Sequence, residues 1–418
     1  MHLKYKNCND AFVGVVSGIQ SGRIPVTIEA SRNGEVLRVE EPVILSYSHP
    51  KERCLFNESR DVNPFSLMYE ALYMLSGRND VAPLAYYSKQ FAEYSDDGET
   101  LNGSYGMRWR NGYYYPSDEH AHYDNPFAKI EKGDYFYRCN GPPAVDQIRF
   151  IIDHLKAKPE SRRAVLNMWD IDNDLIQIDT SRDVCCNLNI CFSIEKGECK
   201  SCEGLGFYPD ANIPSIDKHP CPSCSGTPSE QPRYLNMTVF NRSNDLLWGA
   251  LGANYCVFSF LQEYIATALE LDVGTYNQVS NNMHVYIETN SGWKPEVWLE
   301  HETDRDQFSP KRWSYENDIV VTIPLVKDSH IFDKEVVEFV EKNSGKYEDP
   351  ICSWSEPFLG FTAQPMCDAF YFHKKRNYEK ALYWCSKIMS DDWRVIATNW
   401  IKKRQENWEA NSVYRKGE

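Results

Sequence analysis

The sequence predicts an α+β protein, because segments with strand-like alternation and segments with helical spacing both occur but do not alternate regularly along the chain. The chain has 418 residues, of which 42% are hydrophobic, so it can bury one large core or two modest ones. It contains no internal repeat and no low-complexity tract. We therefore expect ordered structure over most of its length.

Strands and helices can be assigned in order from local patterns. Residues 24–47 alternate and are rich in Val and Ile, which predicts two strands joined by a turn at Asn33-Gly34. Residues 64–77 have helical spacing, with a proline at the first position and a glycine at the last, which predicts a helix. After a Tyr-rich, loop-rich region at 92–142, the elements expected are a helix at about 143–157, strands over 162–171, 186–194, 234–241, 283–289 and 318–324, a buried helix over 252–271 and amphipathic helices over 376–409.

The composition argues against several classes of protein. Lys and Arg total 45 against 60 acidic residues, a net charge of −15, so no overall basic surface for nucleic acid is expected. No apolar leader and no apolar run long enough for a membrane is present, so we expect neither standard secretion nor a membrane span. The 14 scattered cysteines favour a reducing cytoplasm, where thiols are free for metal binding or catalysis.

Four cysteines in two pairs interrupt two of the predicted strands. Cys199-x-x-Cys202 and Cys221-x-x-Cys224 each offer two thiolates from one tight turn, at a spacing that suits a structural zinc site. The alternatives are four unrelated cysteines, or a loop that binds nucleic acid, against which the acidic balance argues. Because a closed four-cysteine shell has no open position for a substrate, we expect a zinc-ribbon-like insertion over 197–228 that stiffens a loop.

Six ordered segments between about residues 60 and 290 form a further pattern. They are YEALYMLSGRND, NGSYGMRWR, SRRAVLNMWD, a strand preceded by a cysteine pair, NRSND before a buried helix, and NQVSNNMHVY. This order resembles the thymidylate synthase superfamily, and NRSNDLLWGALGANY and QVSNNMHVY are most similar to its bacteriophage-type branch, which hydroxymethylates pyrimidine deoxynucleotides. The resemblance implies a thymidylate-synthase-like fold, with a large mixed sheet at a homodimer interface and helices around it.

The resemblance also implies a division of the chain and a location. We expect a catalytic domain over 1–340, interrupted by the insertion at 197–228, and a C-terminal helical extension over 341–418. The location implied is the cytoplasm, that of the host cell if a bacteriophage encodes the chain.

A covalent mechanism follows from the resemblance. C5 of a uracil or cytosine ring is a poor nucleophile until a thiolate adds to C6, after which C5 can attack an activated one-carbon unit. By the match, Cys186 is this thiolate, and Cys185 stands where the family usually has a proline. Glu70, assisted by Tyr105, is implied to organise proton transfer at the base. Asp245, a further member of the catalytic set, and Glu70 are implied to lie at the folate, 5,10-methylenetetrahydrofolate.

The nucleotide phosphate is implied to bind to arginines, whose planar fork suits two-point contacts with oxygen. One of these arginines is also implied to lower the pKa of the catalytic thiol. The residues implied are Arg242, which is the one beside the thiol, Ser243, the pair Arg162 and Arg163 from the partner subunit, and either Arg53 or Arg60.

The residues at the base and sugar are also implied by the match. His284 and Tyr286 resemble the pair that binds the sugar 3′-hydroxyl, and Asn241 belongs to the same group. An ungapped alignment puts Ala253 at the position that selects the base, whereas one inserted residue puts Asn254 there. We prefer Asn254, whose amide can pair with the O4 and N3–H edge of uracil, so dUMP is expected over dCMP.

The expected reaction is 5-hydroxymethylation, with 5,10-methylenetetrahydrofolate and water as co-substrates. Asn187 replaces the family's His after the nucleophile, and Asn241 replaces its Gln before Arg-Ser. The final residues VYRKGE also differ from the apolar terminus that seals the synthase site against water. The alternatives are reductive methylation of dUMP by a thymidylate synthase and 5-hydroxymethylation of dCMP.

Overall fold

The structure is a computed structural model. It describes residues 1–112, 136–137, 144–196, 233–288, 292–303, 314–316, 318, 320–345 and 353–416. The four cysteines of the predicted zinc site and the insertion around them lie outside these residues. Among the residues that are described, no group of three or more His, Cys, Asp or Glu could hold a metal ion. No helix in the same ranges is long and apolar enough to span a membrane.

Helices and strands are numbered in chain order. The helices are α1 (Cys8–Gln20), α2 (Pro64–Leu75), α3 (Val81–Tyr87), α4 (Phe91–Tyr94), α5 (Tyr105–Arg110), α6 (Gln147–Ala157), α7 (Ala253–Ala268), α8 (Pro295–Thr303), α9 (Ser329–Lys342), α10 (Gln364–Lys374), α11 (Tyr378–Cys385) and α12 (Asp391–Lys416). The strands are β1 (His2–Tyr5), β2 (Val26–Ser31), β3 (Gly34–Val39), β4 (Val43–Tyr47), β5 (Phe136–Tyr137), β6 (Ala144–Val145), β7 (Val165–Asn167), β8 (Asn187–Lys196), β9 (Arg233–Asn241), β10 (Asn244–Asp245), β11 (Asp272–Ser280) and β12 (Met283–Tyr286).

The larger sheet has the strand order β1-β4-β11-β9-β8-β7. The pairs β1–β4 and β11–β9 are parallel, and the pairs β4–β11, β9–β8 and β8–β7 are antiparallel. A mixed sheet in an α+β protein is the class that the sequence predicted.

A smaller sheet has the order β10-β12-β3-β2. Its hairpin β2–β3 closes at the pair Ser31 and Gly34, with Gly34 at a φ of 108°, which confirms the turn predicted at Asn33-Gly34. The strand β12 lies against β3, and the short strand β10 lies against β12. This arrangement brings Asp245 beside His284.

Helix α7 forms the centre of the core. Its side chains are buried nearly all round, as the continuous apolar pattern predicted. Two of its buried polar residues bind neighbouring segments: Gln262 donates to the carbonyl oxygen of Leu235 at 2.8 Å, and Glu263 pairs with Arg53. The helix packs against α2 on one side and against β9 and β11 of the larger sheet on another.

Three of the sequence expectations about strands were wrong or incomplete. Residues 24–47 hold three strands, β2, β3 and β4, where two were expected. Residues 318 and 320–324 form no strand: the backbone N–H groups of Val321 and Ile323 donate to the side chains of Asp391 and Ser390, at 2.9 and 2.8 Å. The apolar alternation there reflects contact with the start of α12. Strand β11 was missed because its sequence DVGTYNQVS is polar, although it lies between β4 and β9.

The C-terminal helices pack into the same hydrophobic core as α2 and α7. The amphipathic helices expected over 376–409 are present as α11 and α12, and α10 precedes them. The ring of Phe65 in α2 lies 5.4 Å from Phe370 of α10 and 5.5 Å from Trp400 of α12. Helix α2 therefore contacts the C-terminal helices as well as the central helix α7.

Helix α5 approaches α2 more closely than side chains would allow. A Cβ atom on Gly106 would lie 2.2 Å from the carbonyl oxygen of Met74, a distance that no side chain tolerates. The backbones of the two helices therefore pack directly on each other at this point. The neighbouring residue Tyr105 is thereby held beside α2.

We expect Gly106→Ala to lower the free energy of unfolding by roughly 1–3 kcal/mol or more, because the clash is with backbone and cannot be relieved by a rotamer change. Gly360→Ala is the matched control, since a Cβ there meets nothing closer than 3.7 Å and should change stability by no more than about 0.5 kcal/mol. Denaturant titration of both variants measures the difference. Equal, small effects at both positions would contradict the close approach of α5 to α2.

Candidate active site

The pairing of two strands brings the predicted nucleophile to its predicted cation. Cys186 directly precedes β8, and Arg242 directly follows β9. The strands are antiparallel and Asn187 lies opposite Asn241, so the residues just beyond them are neighbours. The backbone N–H of Arg242 donates to the carbonyl oxygen of Cys186 at 2.9 Å. The two residues thus extend the strand pair by one further hydrogen bond.

The guanidinium group of Arg242 is fixed by backbone carbonyls. Its Nε donates to the carbonyl oxygen of Cys185 and its Nη2 to that of Val184, both at 2.9 Å. The same Nη2 lies 3.7 Å from the Sγ atom of Cys186. This arrangement leaves the other guanidinium nitrogen without a partner among the described residues. It can therefore meet an anion while the group stays beside the thiol.

Burial and charge act in opposite directions on the nucleophile. Burial raises the pKa of the Cys186 thiol, whereas the positive charge of Arg242 lowers it. The expectation that Arg242 lowers this pKa has the right direction, but burial outweighs the charge and the pKa remains above its usual value. A thiol whose pKa is raised needs a proton acceptor before it reacts.

The neighbouring Cys185 has a structural environment. Its side chain is 1% exposed, and its Sγ donates to the carbonyl oxygen of Asn187 at 3.2 Å. Its backbone N–H donates to Asp174 at 2.9 Å, and Asp174 is in turn paired with Arg108. Burial raises the pKa of the Cys185 thiol far above its usual range. Of the adjacent cysteines, Cys186 is the one that is partly accessible.

The two predicted proton-transfer residues, Glu70 and Tyr105, interact with each other, and Tyr105 also interacts with Cys186. Glu70, on α2, is 9% exposed, and burial raises the pKa of its carboxyl to about 8. Its carboxyl group has no hydrogen bond or ion pair within the described ranges. Tyr105, at the start of α5, stacks on Phe258 with the ring centres 5.6 Å apart. Burial raises the pKa of Tyr105, and the charges of Cys186 and Glu70 raise it further, so all three groups share one electrostatic environment.

Asp245 and His284 form a second cluster across β10 and β12. One carboxylate oxygen of Asp245 accepts from the backbone N–H groups of Leu247 and Trp248, at 2.7 and 2.6 Å. The other oxygen, Oδ2, is buried and has no hydrogen bond in the described structure. Burial raises the pKa of Asp245 and lowers that of His284. An unpartnered buried acceptor of this kind is suited to a donor on a bound ligand.

The two residues predicted to bind the sugar, His284 and Tyr286, both lie on β12. The rings of His284 and Tyr286 contact edge to face, with centres 5.6 Å apart. The Nδ1 atom of His284 lies 3.0 Å from the side-chain oxygen of Asn282. Because that oxygen accepts, Nδ1 carries the proton and Nε2 is the acceptor in the neutral ring.

The two arginines left open for the phosphate differ in their surroundings. Arg53 is buried in an ion pair with Glu263 and lies over the ring of Phe260 at 4.5 Å. Arg60 is also buried and lies 5.4 Å from the ring centre of Trp248. Burial lowers the pKa of Arg60 and the charge of Asp245 raises it, but its guanidinium group has no hydrogen bond or ion pair among the described residues. Arg60 is thus the free cation of the two.

The other predicted phosphate residues are Arg162, Arg163 and Ser243. Arg162 and Arg163 are exposed just before the edge strand β7, and their side chains contact no acceptor in the described part of the chain. Ser243 follows Arg242 and is partly buried.

The sequence did not indicate that several asparagines and one glutamine, Gln278, form hydrogen-bonded groups in the candidate site. Asn254 begins the first turn of α7, and its Nδ2 donates to Oδ1 of Asn244 at 3.1 Å. The buried amide of Asn187 donates to Asn241, which donates to the carbonyl oxygen of Val279 at 3.2 Å. This leaves Oδ1 of Asn187 buried and without a partner in the described residues. A usable indication was the density of amides in NRSND and NQVSNN, at positions where strands alternate.

Comparison with known proteins agrees with this geometry. The chain matches the family model described as Thymidylate synthase over residues 44–304. It is 32% identical over 388 residues, 92% of this chain and 89% of the relative, to the deoxyuridylate hydroxymethyltransferase of Pseudomonas phage M6. It is 31% identical over 264 residues, 62% of this chain and 54% of the relative, to the deoxyuridylate hydroxymethyltransferase of Bacillus phage SP01. It is 21% identical over 231 residues, 54% of each chain, to the thymidylate synthase of Haloferax volcanii.

The family model covers well over half of the chain and includes Cys186, Arg242 and the residues grouped around them. The resemblance inferred from the six motifs is therefore confirmed, and the chain is an enzyme that belongs to the thymidylate synthase family.

Proposed function

We propose that this enzyme 5-hydroxymethylates dUMP, with 5,10-methylenetetrahydrofolate and water as co-substrates. Membership of the thymidylate synthase family implies folate-dependent modification of dUMP. Two relatives at 32% and 31% identity are named deoxyuridylate hydroxymethyltransferase, which supports hydroxymethylation as the outcome. The single structural observation that supports the chemistry is the contact of Arg242 with the thiol of Cys186.

The proposed reaction consumes no reductant. The sulfur of Cys186 forms a bond to C6 of uracil, and C5 then forms a bond to the one-carbon unit. Loss of the C5 proton then breaks the bond between the one-carbon unit and the folate nitrogen, which takes the electron pair. Tetrahydrofolate leaves, and an exocyclic methylene remains at C5. The oxygen of water bonds to this methylene and a proton leaves. The C6–S bond then breaks as the C5=C6 double bond forms again, which returns the thiolate.

The outcome depends on access of water to the exocyclic methylene. In the alternative reaction, the folate supplies a hydride and leaves as dihydrofolate. The buried, unpartnered Oδ1 of Asn187 can accept a hydrogen bond from a water molecule, and it stands next in sequence to the nucleophile. We propose that this acceptor favours water over hydride at the methylene.

Proton transfer is assigned to Glu70 and Tyr105. With its pKa raised to about 8, Glu70 can both hold and release a proton near neutral pH. The phenol of Tyr105 shares the environment of Cys186 and Glu70. Asp245 is proposed to accept a hydrogen bond from the pterin through its free Oδ2, with Glu70 also at the folate. His284 and Tyr286 are proposed to hold the sugar.

A homodimer is proposed to complete the phosphate site. Arg242, Ser243 and Arg60 would bind the phosphate within one chain, and Arg162 and Arg163 would come from the partner subunit. The apolar segment just after β7 supports an interface there, because the side chains of Ile171, Ile176 and Ile178 are 64%, 70% and 52% exposed. Exposed apolar side chains near unpaired arginines suit a surface that a second copy covers.

A structural zinc ion is proposed for the insertion. The two Cys-x-x-Cys pairs, Cys199 with Cys202 and Cys221 with Cys224, form a four-thiolate set. The ion would supply no chemistry to the reaction, because it has no open position.

We expect Cys186→Ser to abolish turnover and Cys185→Ser to retain most of it, since of the two thiols only that of Cys186 lies beside the guanidinium group of Arg242. Incubation with 5-fluoro-dUMP and the folate should give a covalent adduct, located by mass spectrometry of peptides. An adduct on Cys185 or Cys191 would contradict the assignment of the nucleophile.

Glu70→Gln is expected to lose turnover by about 10²-fold or more and yet to stabilise the fold. The folded-state pKa of about 8 lies above the ordinary 4.5, so the parent chain loses stability as pH rises from about 4.5 to 8. The melting temperature of the variant should therefore exceed that of the parent by a margin that grows over this range and then levels off. The gain is at most about 5 kcal/mol.

The matched control for this experiment is Glu356→Gln. Glu356 is 1% exposed, but its carboxylate accepts from the backbone N–H groups of Lys327 and Asp328. Glu356→Gln should lower the melting temperature and leave turnover unchanged. A Glu70→Gln variant that is fully active would remove Glu70 from the mechanism.

The reaction outcome is measured directly by product mass and by dihydrofolate formation in water labelled with heavy oxygen. Hydroxymethylation gives a 5-hydroxymethyl product containing the heavy oxygen, with no dihydrofolate. An unlabelled 5-methyl product that forms in step with dihydrofolate would identify the enzyme as a methylating thymidylate synthase.

A further inference from the structure

A chain of side-chain amides leads from the backbone to the predicted base-selecting residue. Nε2 of Gln278 donates to the carbonyl oxygen of Ala250 at 2.9 Å. Oε1 of Gln278 accepts from Nδ2 of Asn244 at 3.0 Å. Oδ1 of Asn244 accepts from Nδ2 of Asn254 at 3.1 Å. Gln278 and Asn244 are buried, with 0% and 1% exposure.

The direction of every hydrogen bond in this chain is set at its backbone end. A carbonyl oxygen can only accept, so Ala250 requires that Gln278 present its NH₂ group. Gln278 must then turn its oxygen towards Asn244, which must donate, and the oxygen of Asn244 must face Asn254. Asn254 can meet that oxygen only with its own NH₂ group. The carbonyl group of Ala250 therefore determines the orientation of the Asn254 amide.

The chain also has little freedom to move. A Cβ on Gly249 would lie 2.1 Å from Oδ1 of Asn244 and 3.0 Å from Nδ2 of Asn254. The two amides are thus packed directly against the backbone at Gly249. Close packing on one side and hydrogen bonds on the other hold the Asn244 and Asn254 side chains in place.

We infer that Asn244, held by Gln278, is a positioning residue that makes the site select uracil over cytosine by fixing the amide of Asn254. This inference rests on the proposed function, in which Asn254 contacts the base. The fixed amide offers a free oxygen and one free N–H. These complement N3–H and O4 of uracil.

Cytosine presents the opposite pattern, with an acceptor at N3 and a donor at N4. To pair with it, the amide of Asn254 would have to turn over and place its oxygen against Oδ1 of Asn244. Turning Asn244 and Gln278 as well only moves the conflict, because Oε1 of Gln278 would then face the carbonyl oxygen of Ala250. One buried acceptor is opposed by another in every arrangement. Such a conflict corresponds to a discrimination of about 10- to 100-fold.

The test compares the binding of dUMP and dCMP to the full chain by calorimetry, without folate. Gln278→Met keeps the side-chain volume but removes the hydrogen bond to Ala250, so Asn244 and Asn254 can turn over. We expect the ratio of dUMP affinity to dCMP affinity to fall about tenfold or more. Asn244→Leu is the second variant, and it should lower the ratio in the same way if Gln278→Met does not fold.

Ser280→Ala is the matched control. Its hydroxyl accepts from the same Nδ2 of Asn244 at 3.2 Å, but a hydroxyl can donate as well as accept and so does not set the direction of the amide. Its removal should leave the affinity ratio unchanged. A general structural defect would weaken the binding of both nucleotides equally. A change in the affinity ratio therefore distinguishes a positioning role from a folding defect.

Three results would overturn the inference, and they are distinguishable. If Gln278→Met and Asn244→Leu leave the affinity ratio unchanged, with dUMP still preferred, the chain of amides does not select the base. The proposed function would be unaffected. A parent chain that prefers dCMP would also overturn the inference. Whether the product is hydroxymethylated would still be decided by the product assay. A parent chain that binds neither nucleotide would overturn the proposed function as well.

Discussion

The antiparallel pairing of β8 with β9 is the constraint on which the rest of the site depends. It places Cys186 and Arg242 at adjacent ends of two strands, where one backbone hydrogen bond joins them. A shift of the register by one residue would turn every side chain of β8 to the opposite face of the sheet. The sheet therefore determines which cysteine of the adjacent pair meets the arginine.

The same burial that assembles the site acts against its charges. Burial raises the pKa values of Cys186, Glu70 and Asp245, so each of these acidic groups holds its proton more tightly than it does in water. Arg242 opposes this only in part. Buried groups with raised pKa values are typical of active sites. Their burial lowers the stability of the fold but gives them the protonation states that the reaction needs.

Two backbone carbonyl groups determine the direction of the hydrogen bonds among the side-chain amides of the candidate site. The carbonyl of Ala250 orients the chain that ends at Asn254, and the carbonyl of Val279 orients the chain that ends at Asn187. Each chain ends on an amide oxygen without a partner in the described residues. Hydrogen-bond direction passes through a buried network because a reversed amide would place one buried acceptor against another.

The sequence by itself determined the α+β class, the hairpin at Asn33-Gly34, the buried helix α7 and the family, because these depend on local periodicity, turn chemistry and ordered motifs. Through the family resemblance it also predicted roles for Cys186, Glu70 and Arg242, whose residue types suit the proposed chemistry. Only the tertiary structure decided that β11 lies within the sheet and that burial outweighs Arg242 at the thiol. It also showed that Arg53 is paired with Glu263, whereas Arg60 has no ion pair among the described residues. It alone joined Gln278 to Asn244 and Asn254. The physical reason is that burial and hydrogen-bond partners arise from contacts between residues far apart in the chain, which local patterns do not specify.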